Sequence, residues 1–201
     1  MSGRIDELRR VIVCILLAAG RSERFGGKKL LATLPNGKTV LQTTLENLCA
    51  SGLSIVMVVR DDAALEQHVQ RLMAIHSEVI VVKNTAADSG MASSIVCGVL
   101  AAKDATGWLI ALGDMPYVRP QTYQAVAEAV TSASAIAVAA TNAKGGQPVG
   151  FGRGYVDALC ALKGDTGARG VITAHPQSVS LIEVGDLGIF QDIDTPEDLR
   201  A

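Results

Sequence analysis

The chain has 201 residues, of which 49% are hydrophobic and 19% are charged, and its formal net charge is -2. This length and apolar content predict one compact α/β domain over residues 1–201 with a full core. The nearly neutral charge balance offers no global field for nucleic acid or an acidic membrane, and no apolar run reaches membrane-spanning length. We therefore expect neither nucleic acid nor a membrane as a partner.

Two features predict the compartment. Arg9 and Arg10 precede a short apolar run that ends in Ala-Ala-Gly, much as in a secretory signal peptide. Asp6 and Glu7 spoil the positive region that such a peptide needs, so we reject the signal. The four cysteines have neither a Cys-x-x-Cys pattern nor a paired histidine spacing, and we interpret them as small core residues of a cytoplasmic, reduced protein. They are Cys14, Cys49, Cys97 and Cys160.

The stretch from Ile12 to Leu31 joins an apolar run to a basic loop that contains glycine. The run is aliphatic without polar alternation, which is typical of a strand buried on both faces of a parallel sheet. Ala18, Ala19 and Gly20 then lack bulk, so their backbone N–H groups can approach an anion closely. Positive charge follows at Arg21, Arg24, Lys28 and Lys29. The pattern fits neither a P-loop nor Gly-x-Gly-x-x-Gly, and it predicts either a phosphate-binding loop or a solubilising basic loop.

The rest of the chain alternates apolar strands with amphipathic helices, which predicts a doubly wound α/β sheet. Further strands are predicted at residues 53–59, 79–82, 108–112, 135–140 and 179–182. Helices are predicted to begin near Thr39, Asp61 or Asp62, Met91, Pro120 and Tyr155. The glycine-rich segment 144–151 breaks the alternation, and we expect there an insertion or an antiparallel excursion that carries substrate specificity.

Three carboxylates are predicted to lie on one rim of the sheet. Asp114 follows the strand at 108–112, at the edge where doubly wound sheets bind ligands. Asp192 and Asp194 are spaced so that both side chains of an extended segment point the same way. Because Mg²⁺ prefers one or two carboxylates plus water and phosphates, Asp114 with one of the later pair would suffice. The alternatives are a turn role for Asp114 and helix capping for the other two.

Three further sets of residues remain to be assigned a role from the sequence. The small-residue loop 84–94 feeds a helix whose N-terminus is a second candidate anion or ribose site. Asp165 and Arg169 either pair locally or contact substrate. We assign no catalytic role to the histidines, which are His68, His76 and His175.

Six motifs follow one another along nearly the whole chain, at residues 17–31, 90–95, 113–116, 146–151, 164–169 and 192–199. The first reads Leu-Ala-Ala-Gly-x-Ser-x-Arg-x-Gly-x-x-Lys-Leu-Leu, the third reads Gly-Asp-Met-Pro, and the last reads Asp-Ile-Asp-Thr-Pro-Glu-Asp-Leu. Together they resemble the molybdenum cofactor cytidylyltransferases, which are nucleotidyltransferases with a Rossmann-like, glycosyltransferase-A type fold. The resemblance implies three layers around a mostly parallel, mixed sheet.

The resemblance also implies an activity and site residues. The activity is Mg²⁺-dependent transfer of CMP from CTP to molybdopterin, with release of pyrophosphate. The base would contact the backbone of the turn formed by Leu17, Ala18, Ala19 and Gly20. Ser94 would lie near the base or ribose. The catalytic residues, which would also bind the nucleotide, would be Arg24, Lys29 and Asp114. The metal would be held by Asp114 with Asp192 or Asp194. The acceptor would be bound by Gln147, Pro148, Asp165 and Arg169.

The resemblance leaves the base and the acceptor open. The guanylyl branch has Leu-Ala-Gly-Gly in the first motif and usually an Asp-Lys pair later, whereas this chain has Ala19 and Lys28-Lys29, which favours CTP over GTP. Gln147 stands where many cytidylyl members have histidine. The alternatives are a guanylyltransferase, a sugar-phosphate or alditol-phosphate nucleotidyltransferase, and a non-catalytic chaperone that inserts cofactor into a recipient molybdoenzyme. Intact Lys29 and Asp114 argue against the chaperone.

Overall fold

Residues 11–22 and 25–200 are described by a computed structural model, and within them seven strands form one sheet. The strands are β1 (Ile12–Ala18), β2 (Ser54–Arg60), β3 (Ile80–Asn84), β4 (Gly107–Leu112), β5 (Ile136–Thr141), β6 (Lys144–Gly152) and β7 (Val179–Glu183). Their order in the sheet is β3-β2-β1-β4-β6-β5-β7.

Six α-helices cover the two faces of the sheet in this part of the chain. They are α1 (Val40–Ala50), α2 (Ala63–Met73), α3 (Met91–Ala101), α4 (Pro120–Ala129), α5 (Val156–Cys160) and α6 (Arg169–Ala174). Apolar residues of α1, α2 and α4 form one core with the sheet, and those of α3, α5 and α6 form a second core on the opposite face. The predicted three-layer α/β fold is therefore confirmed. No described helix is both long enough and apolar enough to cross a membrane.

The sheet is mixed because one strand runs against its neighbours. β1 pairs in parallel with β2 and β4, β2 with β3, and β5 with β7, whereas β6 is antiparallel to both β4 and β5. The excursion predicted at residues 144–151 is therefore β6. From β1 the chain extends the sheet first through β2 and β3 and then, on the other side, through β4. Such a reversal opens a crevice at the carboxyl ends of the strands where it occurs.

Local signals in the sequence fix several helix ends. The Thr39 hydroxyl accepts a hydrogen bond from the Gln42 N–H group at 3.1 Å, and an Asp62 carboxylate oxygen accepts one from Leu65 N–H at 2.8 Å. These bonds begin α1 and α2 as the capping residues predict. The helix predicted to begin near Tyr155 is α5, which begins one residue later because Arg153–Tyr155 form a 3₁₀ turn.

Candidate active site

A cleft of about 410 Å³ lies at the carboxyl ends of β1 and β4. Its lining includes most of the residues that the sequence assigns to nucleotide and metal, namely Leu17, Ala19, Gly20, Lys29, Ser94, Asp114 and Asp194. They come from five separate stretches of chain, which the parallel strands bring to one edge of the sheet. Arg24, also assigned to the nucleotide, lies outside the described residues.

Lys29 joins the two acids at the base of this cleft. Its Nζ atom lies 2.7 Å from Asp114 Oδ2 and 2.9 Å from Asp194 Oδ1. Burial disfavours the charge of the ammonium, but the two carboxylates more than offset this effect and raise the pKa of Lys29. Lys28, by contrast, is exposed and has a left-handed backbone conformation, with φ of 53°. The two adjacent lysines therefore have different surroundings, and only Lys29 reaches the acids.

The segment 192–194 is fastened beside Asp114 by its own backbone. The Ile193 N–H group donates to the carbonyl oxygen of Asp114 at 2.9 Å, and the Ile193 side chain is buried in the core. The acids on either side of it consequently face outward, as the alternation predicts. Asp194 reaches Lys29, whereas Asp192 is exposed and is not among the cleft-lining residues. Partial desolvation, aided by the charges of Asp194 and Asp114, raises the pKa of Asp192.

Asp114 has a carboxylate oxygen that no described residue satisfies. Its Oδ1 is buried and has no hydrogen-bond partner within residues 11–22 and 25–200, while Oδ2 contacts Lys29. A buried carboxylate oxygen without a donor is costly unless a ligand completes it. Carboxylate oxygens are also the donors that hard divalent cations prefer. Asp114 and Asp194 therefore fit a divalent metal ion with respect to both donor chemistry and this unpaired oxygen.

The turn after β1 presents backbone to the cleft. Ala18 is buried in the core between the sheet and α1, so it does not line the cleft, whereas Ala19 does. A Cβ atom at Gly20 would meet no atom within 4 Å, so that side of the turn is open. At Gly113 a Cβ atom would lie 2.9 Å from the Leu17 carbonyl oxygen, which accepts a hydrogen bond from Gly113 N–H at the same distance. Because residue 113 is glycine, the ends of β1 and β4 can approach each other closely, and Asp114 therefore lies beside the turn that follows β1.

Ser94, in the first turn of α3, is held by a residue to which the sequence analysis gave no role. The side-chain amide of Asn84, at the end of β3, donates to Ser94 Oγ at 3.0 Å and to Ser93 Oγ at 2.9 Å. Ser93 in turn donates its hydroxyl proton to the Gly90 carbonyl oxygen at 2.8 Å. Ser94 accepts from Asn84 and lines the cleft, and its own O–H has no acceptor among the described residues, so it is available to a ligand. A polar residue at the carboxyl end of a predicted parallel strand, which is where Asn84 lies, is the sequence signal that could have indicated a role at this site.

Asp165 lines the cleft, and its observed contacts are with the start of α3 and not with Arg169. Its Oδ1 accepts a hydrogen bond from Met91 N–H at 3.3 Å, and the Gly164 carbonyl accepts one from Ala92 N–H at 3.0 Å. The loop therefore caps α3 and packs directly over Gly90. Arg169 is exposed, forms no ion pair with Asp165, and is not among the cleft-lining residues.

A further contact links the first loop to the segment before α3. Asp88 accepts from Arg21 Nε at 3.0 Å and from Arg60 Nη2 at 3.1 Å. These bonds and charges, with Arg21 the larger influence, lower the pKa of the Asp88 carboxyl group. Arg21 and Asp88 both line the cleft, so the contact links its two sides. The sequence pattern identifies Arg21 only as a positive charge of the first loop and gives no signal for Asp88.

Residues 14–179 match the family of the MobA-like NTP transferase domain. The chain belongs to this family. It is accordingly a nucleotidyltransferase, and the cleft at the carboxyl ends of β1 and β4 is its candidate active site. No curated protein is significantly similar to it in sequence.

Solved structures of other proteins resemble this NTP transferase over nearly the whole chain. Rv0371c from Mycobacterium tuberculosis H37Rv is 30% identical, with a TM-score of 0.75 over 94% of this chain and 95% of that one. A structure of Rv0371c in complex with manganese is 27% identical by its own alignment, with a TM-score of 0.66 over 95% and 94% of the two chains.

Two more distant structures share the fold. A nucleotidyl transferase from Methanothermobacter thermautotroptrophicus is 24% identical, with a TM-score of 0.76 over 94% of each chain. The molybdopterin-guanine dinucleotide biosynthesis protein A from Archaeoglobus fulgidus is 20% identical, with a TM-score of 0.62 over 94% and 95% of the two chains.

Gln147 and Pro148 of this NTP transferase lie beside the cleft and not among its lining residues. Because β6 is antiparallel to β4, with Val149 opposite Ile110, the first residues of β6 lie at the same sheet edge as the carboxyl end of β4. Pro148 is buried after a cis peptide bond, and Gln147 Oε1 is buried without a hydrogen-bond partner in the part of the chain that the structure describes. Two of the four predicted acceptor residues, Gln147 and Pro148, therefore lie next to the strand that leads to Asp114, whereas Asp165 lies on the loop that caps α3 and Arg169 begins α6.

Proposed function

We propose that this nucleotidyltransferase transfers CMP from CTP to the terminal phosphate of molybdopterin and releases pyrophosphate. The observation that carries the proposal is the cluster of Lys29, Asp114 and Asp194 in a cleft whose rim is an exposed backbone turn. A cation and two acids at one point suit a reaction that redistributes charge over phosphates.

The nucleotide would lie with its base against the turn that includes Ala19 and Gly20, since this turn can offer backbone groups at close range. Ser94 would donate its O–H to the base or ribose. Lys29 and Arg24 would hold the triphosphate, as the resemblance implies, with Lys29 moving from its two carboxylates to a phosphate oxygen. Ammonium and guanidinium groups form charge-assisted hydrogen bonds with phosphate, which are stronger than neutral ones.

Asp114 and Asp194 would hold a divalent ion, with Mg²⁺ as the proposed physiological metal. When bound, such an ion shields the charge of the phosphates and stabilises the charge that develops on the leaving group. The unpaired Oδ1 atom of Asp114 supports this role, and so does the manganese complex of the related Rv0371c.

The reaction needs little acid–base chemistry from the protein. A phosphate oxygen of the acceptor attacks the α-phosphorus of the nucleotide, the bond from this phosphorus to the β-bridging oxygen breaks, and pyrophosphate leaves with the electron pair. The attacking phosphate is already an anion, so no general base is required. Consistent with this, the described residues that line the cleft include no histidine and no cysteine.

The acceptor would enter beside β6, where Gln147 and Pro148 flank the strand that leads to Asp114. Lys144 stands nearby, with its ammonium 4.8 Å above the ring of Phe190, and adds positive charge to this side. Asp165 and Arg169 remain proposed acceptor contacts from the resemblance. The molybdopterin acceptor is further supported by membership of the MobA-like family and by the fold shared with the Archaeoglobus protein.

A substrate matrix tests the proposal. The purified protein is incubated with Mg²⁺, each of the four labelled nucleoside triphosphates, and molybdopterin, a sugar phosphate or an alditol phosphate, and pyrophosphate release and the labelled product are both measured. We expect turnover with CTP and molybdopterin. Turnover with GTP identifies a guanylyltransferase, and turnover with another acceptor identifies that acceptor class. Transfer of bound molybdopterin to a recipient molybdoenzyme without any pyrophosphate release would identify a chaperone and contradict the proposal.

A further inference from the structure

Three potential metal ligands of different chemistry meet on the far side of the molecule from the cleft. Cys49 lies in the last turn of α1, and His76 and Glu78 follow α2. One ligand atom from each, a sulfur, an imidazole nitrogen and a carboxylate oxygen, all lie within 4.8 Å of one another. The His76 Nδ1 atom is 3.7 Å from Glu78 Oε1. The side chain of His76 is only 17% exposed, whereas that of Glu78 is 64% exposed, so the cluster is shielded on the histidine side and open to solvent at the carboxylate.

The backbone on both sides of this cluster is held by hydrogen bonds. The Cys49 carbonyl oxygen accepts from Gly52 N–H at 3.1 Å, in the turn that ends α1. The His76 N–H group donates to the Leu72 carbonyl at 2.9 Å, and its own carbonyl accepts from Val79 N–H at 3.2 Å. Two hydrogen-bonded turns therefore present the three side chains, so a ligand would order only side chains and not loops.

The topology explains why these turns are neighbours and separates them from the active site. Cys49 precedes β2 and the His76–Glu78 segment precedes β3, and these two strands are adjacent and parallel. Their starting ends therefore lie at one edge of the sheet. The cleft lies at the carboxyl ends of the parallel strands, which is the opposite edge. The cluster cannot share a metal ion with Asp114.

The mixed donor set distinguishes the cluster from a magnesium or calcium site. Thiolate and imidazole ligands select zinc and related transition metals, whereas Mg²⁺ and Ca²⁺ take oxygen donors. Tetrahedral bonds of about 2.0–2.3 Å place ligand atoms about 3.3–3.8 Å apart. The His76–Glu78 separation is already within this range, and small side-chain rotations would close the rest.

We infer that Cys49, His76 and Glu78 form a zinc-binding site at the sheet edge opposite the active site, with water in the fourth position. As the sulfur–metal bond forms, the thiol proton leaves to solvent, so binding releases a proton. The ion would tie the end of α1 to the turn before β3. Because it binds the folded chain and not an unfolded chain in which the ligands are apart, it stabilises the fold by mass action.

Cobalt(II) substitution tests the site without reference to catalysis. The reduced, metal-stripped protein is titrated with Co²⁺, and the charge-transfer absorption that only a thiolate ligand produces is recorded. We expect one equivalent of Co²⁺ to produce this band together with tetrahedral visible bands, and Zn²⁺ to displace both. The active-site carboxylates cannot contribute the thiolate band, since Asp114 and Asp194 offer only oxygen.

Matched variants identify the ligands. Cys49→Ser should abolish the thiolate band, and His76→Gln should weaken Co²⁺ binding by at least about 10- to 100-fold, the loss that even an outer-sphere partner can cause. Cys97→Ser and Cys160→Ser, which change other partly buried free cysteines, should leave the titration unchanged. Zinc should raise the Tm of the wild type and of these two controls but not of Cys49→Ser. A wild-type protein without a thiolate band, or a band that persists in Cys49→Ser, would overturn the proposal.

Discussion

The ammonium group of Lys29 lies 2.7 Å from Asp114 Oδ2. This ion pair engages one of the carboxylate oxygens that a divalent metal would need as ligands. Asp194 Oδ1 contacts the same ammonium group at 2.9 Å. The single positive charge of Lys29 thus offsets only part of the repulsion between the two acids. Nucleotide and metal would replace this arrangement together, because the phosphates attract the lysine and release the acids for the metal.

Replacing Lys29 should therefore have opposite effects on nucleotide and metal. We expect Lys29→Met to raise KM for the triphosphate by roughly 10- to 150-fold, because a charge-assisted hydrogen bond contributes about 1.5–3 kcal/mol. Without nucleotide, the same variant should bind Mn²⁺ about tenfold more tightly, since the competing cation is gone. Initial rates and calorimetric Mn²⁺ titration measure the two effects. Lys28→Met is the matched control, and equal effects from both lysines would mean that they act only as diffuse positive charge.

Asp114→Asn should abolish most turnover while the fold persists, because asparagine keeps the shape and removes the charge that holds the metal. We expect kcat to fall by about 10²- to 10⁴-fold, as for loss of one preorganised electrostatic group. Steady-state kinetics at saturating Mg²⁺ and a thermal melt measure rate and fold. Asp157→Asn, an exposed acid on α5, serves as the control. Turnover like that of the wild type would exclude Asp114 as a metal ligand.

The two late acids should differ in importance. Asp194 contacts Lys29 directly, whereas Asp192 is exposed and outside the cleft lining. We expect Asp194→Asn to lower kcat by about 10- to 100-fold more than Asp192→Asn, since a group at the reacting phosphates contributes more to turnover than a solvent-exposed charge outside the cleft lining. Parallel kinetics of the two variants decide the point. The reverse ranking would assign the metal to Asp192.

Ser94 and Ser93 offer a comparison between adjacent hydroxyl groups that share the donor Asn84. Ser93 uses its proton on the Gly90 carbonyl, while Ser94 can donate to substrate. Ser94→Ala should raise KM for the nucleotide by about 2- to 10-fold, the value of one neutral hydrogen bond, with little change in kcat. Ser93→Ala should instead lower Tm and leave KM near its original value. A larger KM effect in Ser93→Ala would remove Ser94 from the nucleotide site.

Ala19 should influence the choice of base. If the turn after β1 contacts the base, the Ala19 methyl group narrows the space available to a purine. Ala19→Gly should then relax the preference for CTP over GTP by roughly 10- to 200-fold at most in the ratio of kcat/KM values, as expected for one small steric change. Initial rates with both triphosphates measure this ratio. A wild type that prefers GTP, or an unchanged ratio in the variant, would contradict the assignment.

The order of strands and helices was accessible from the sequence because each depends on local chemistry. The aliphatic run that became β1, the capping side chains of Thr39 and Asp62, and the glycine-rich break that became β6 all act within a few residues. The motif around Asp114 could likewise be assigned to a strand end, since a carboxylate after a buried strand requires only the hydrophobic pattern.

Which of these residues meet was decided by the tertiary structure. The choice between Lys28 and Lys29, and the contact of Asp194 with Lys29, depend on a left-handed residue and on a backbone bond from Ile193 to Asp114. The sequence also could not relate Cys49 to His76, because the whole of β2 and α2 lies between them. Pairing of β2 with β3 brings their starting ends together, and such long-range pairing leaves no periodic signal in the chain.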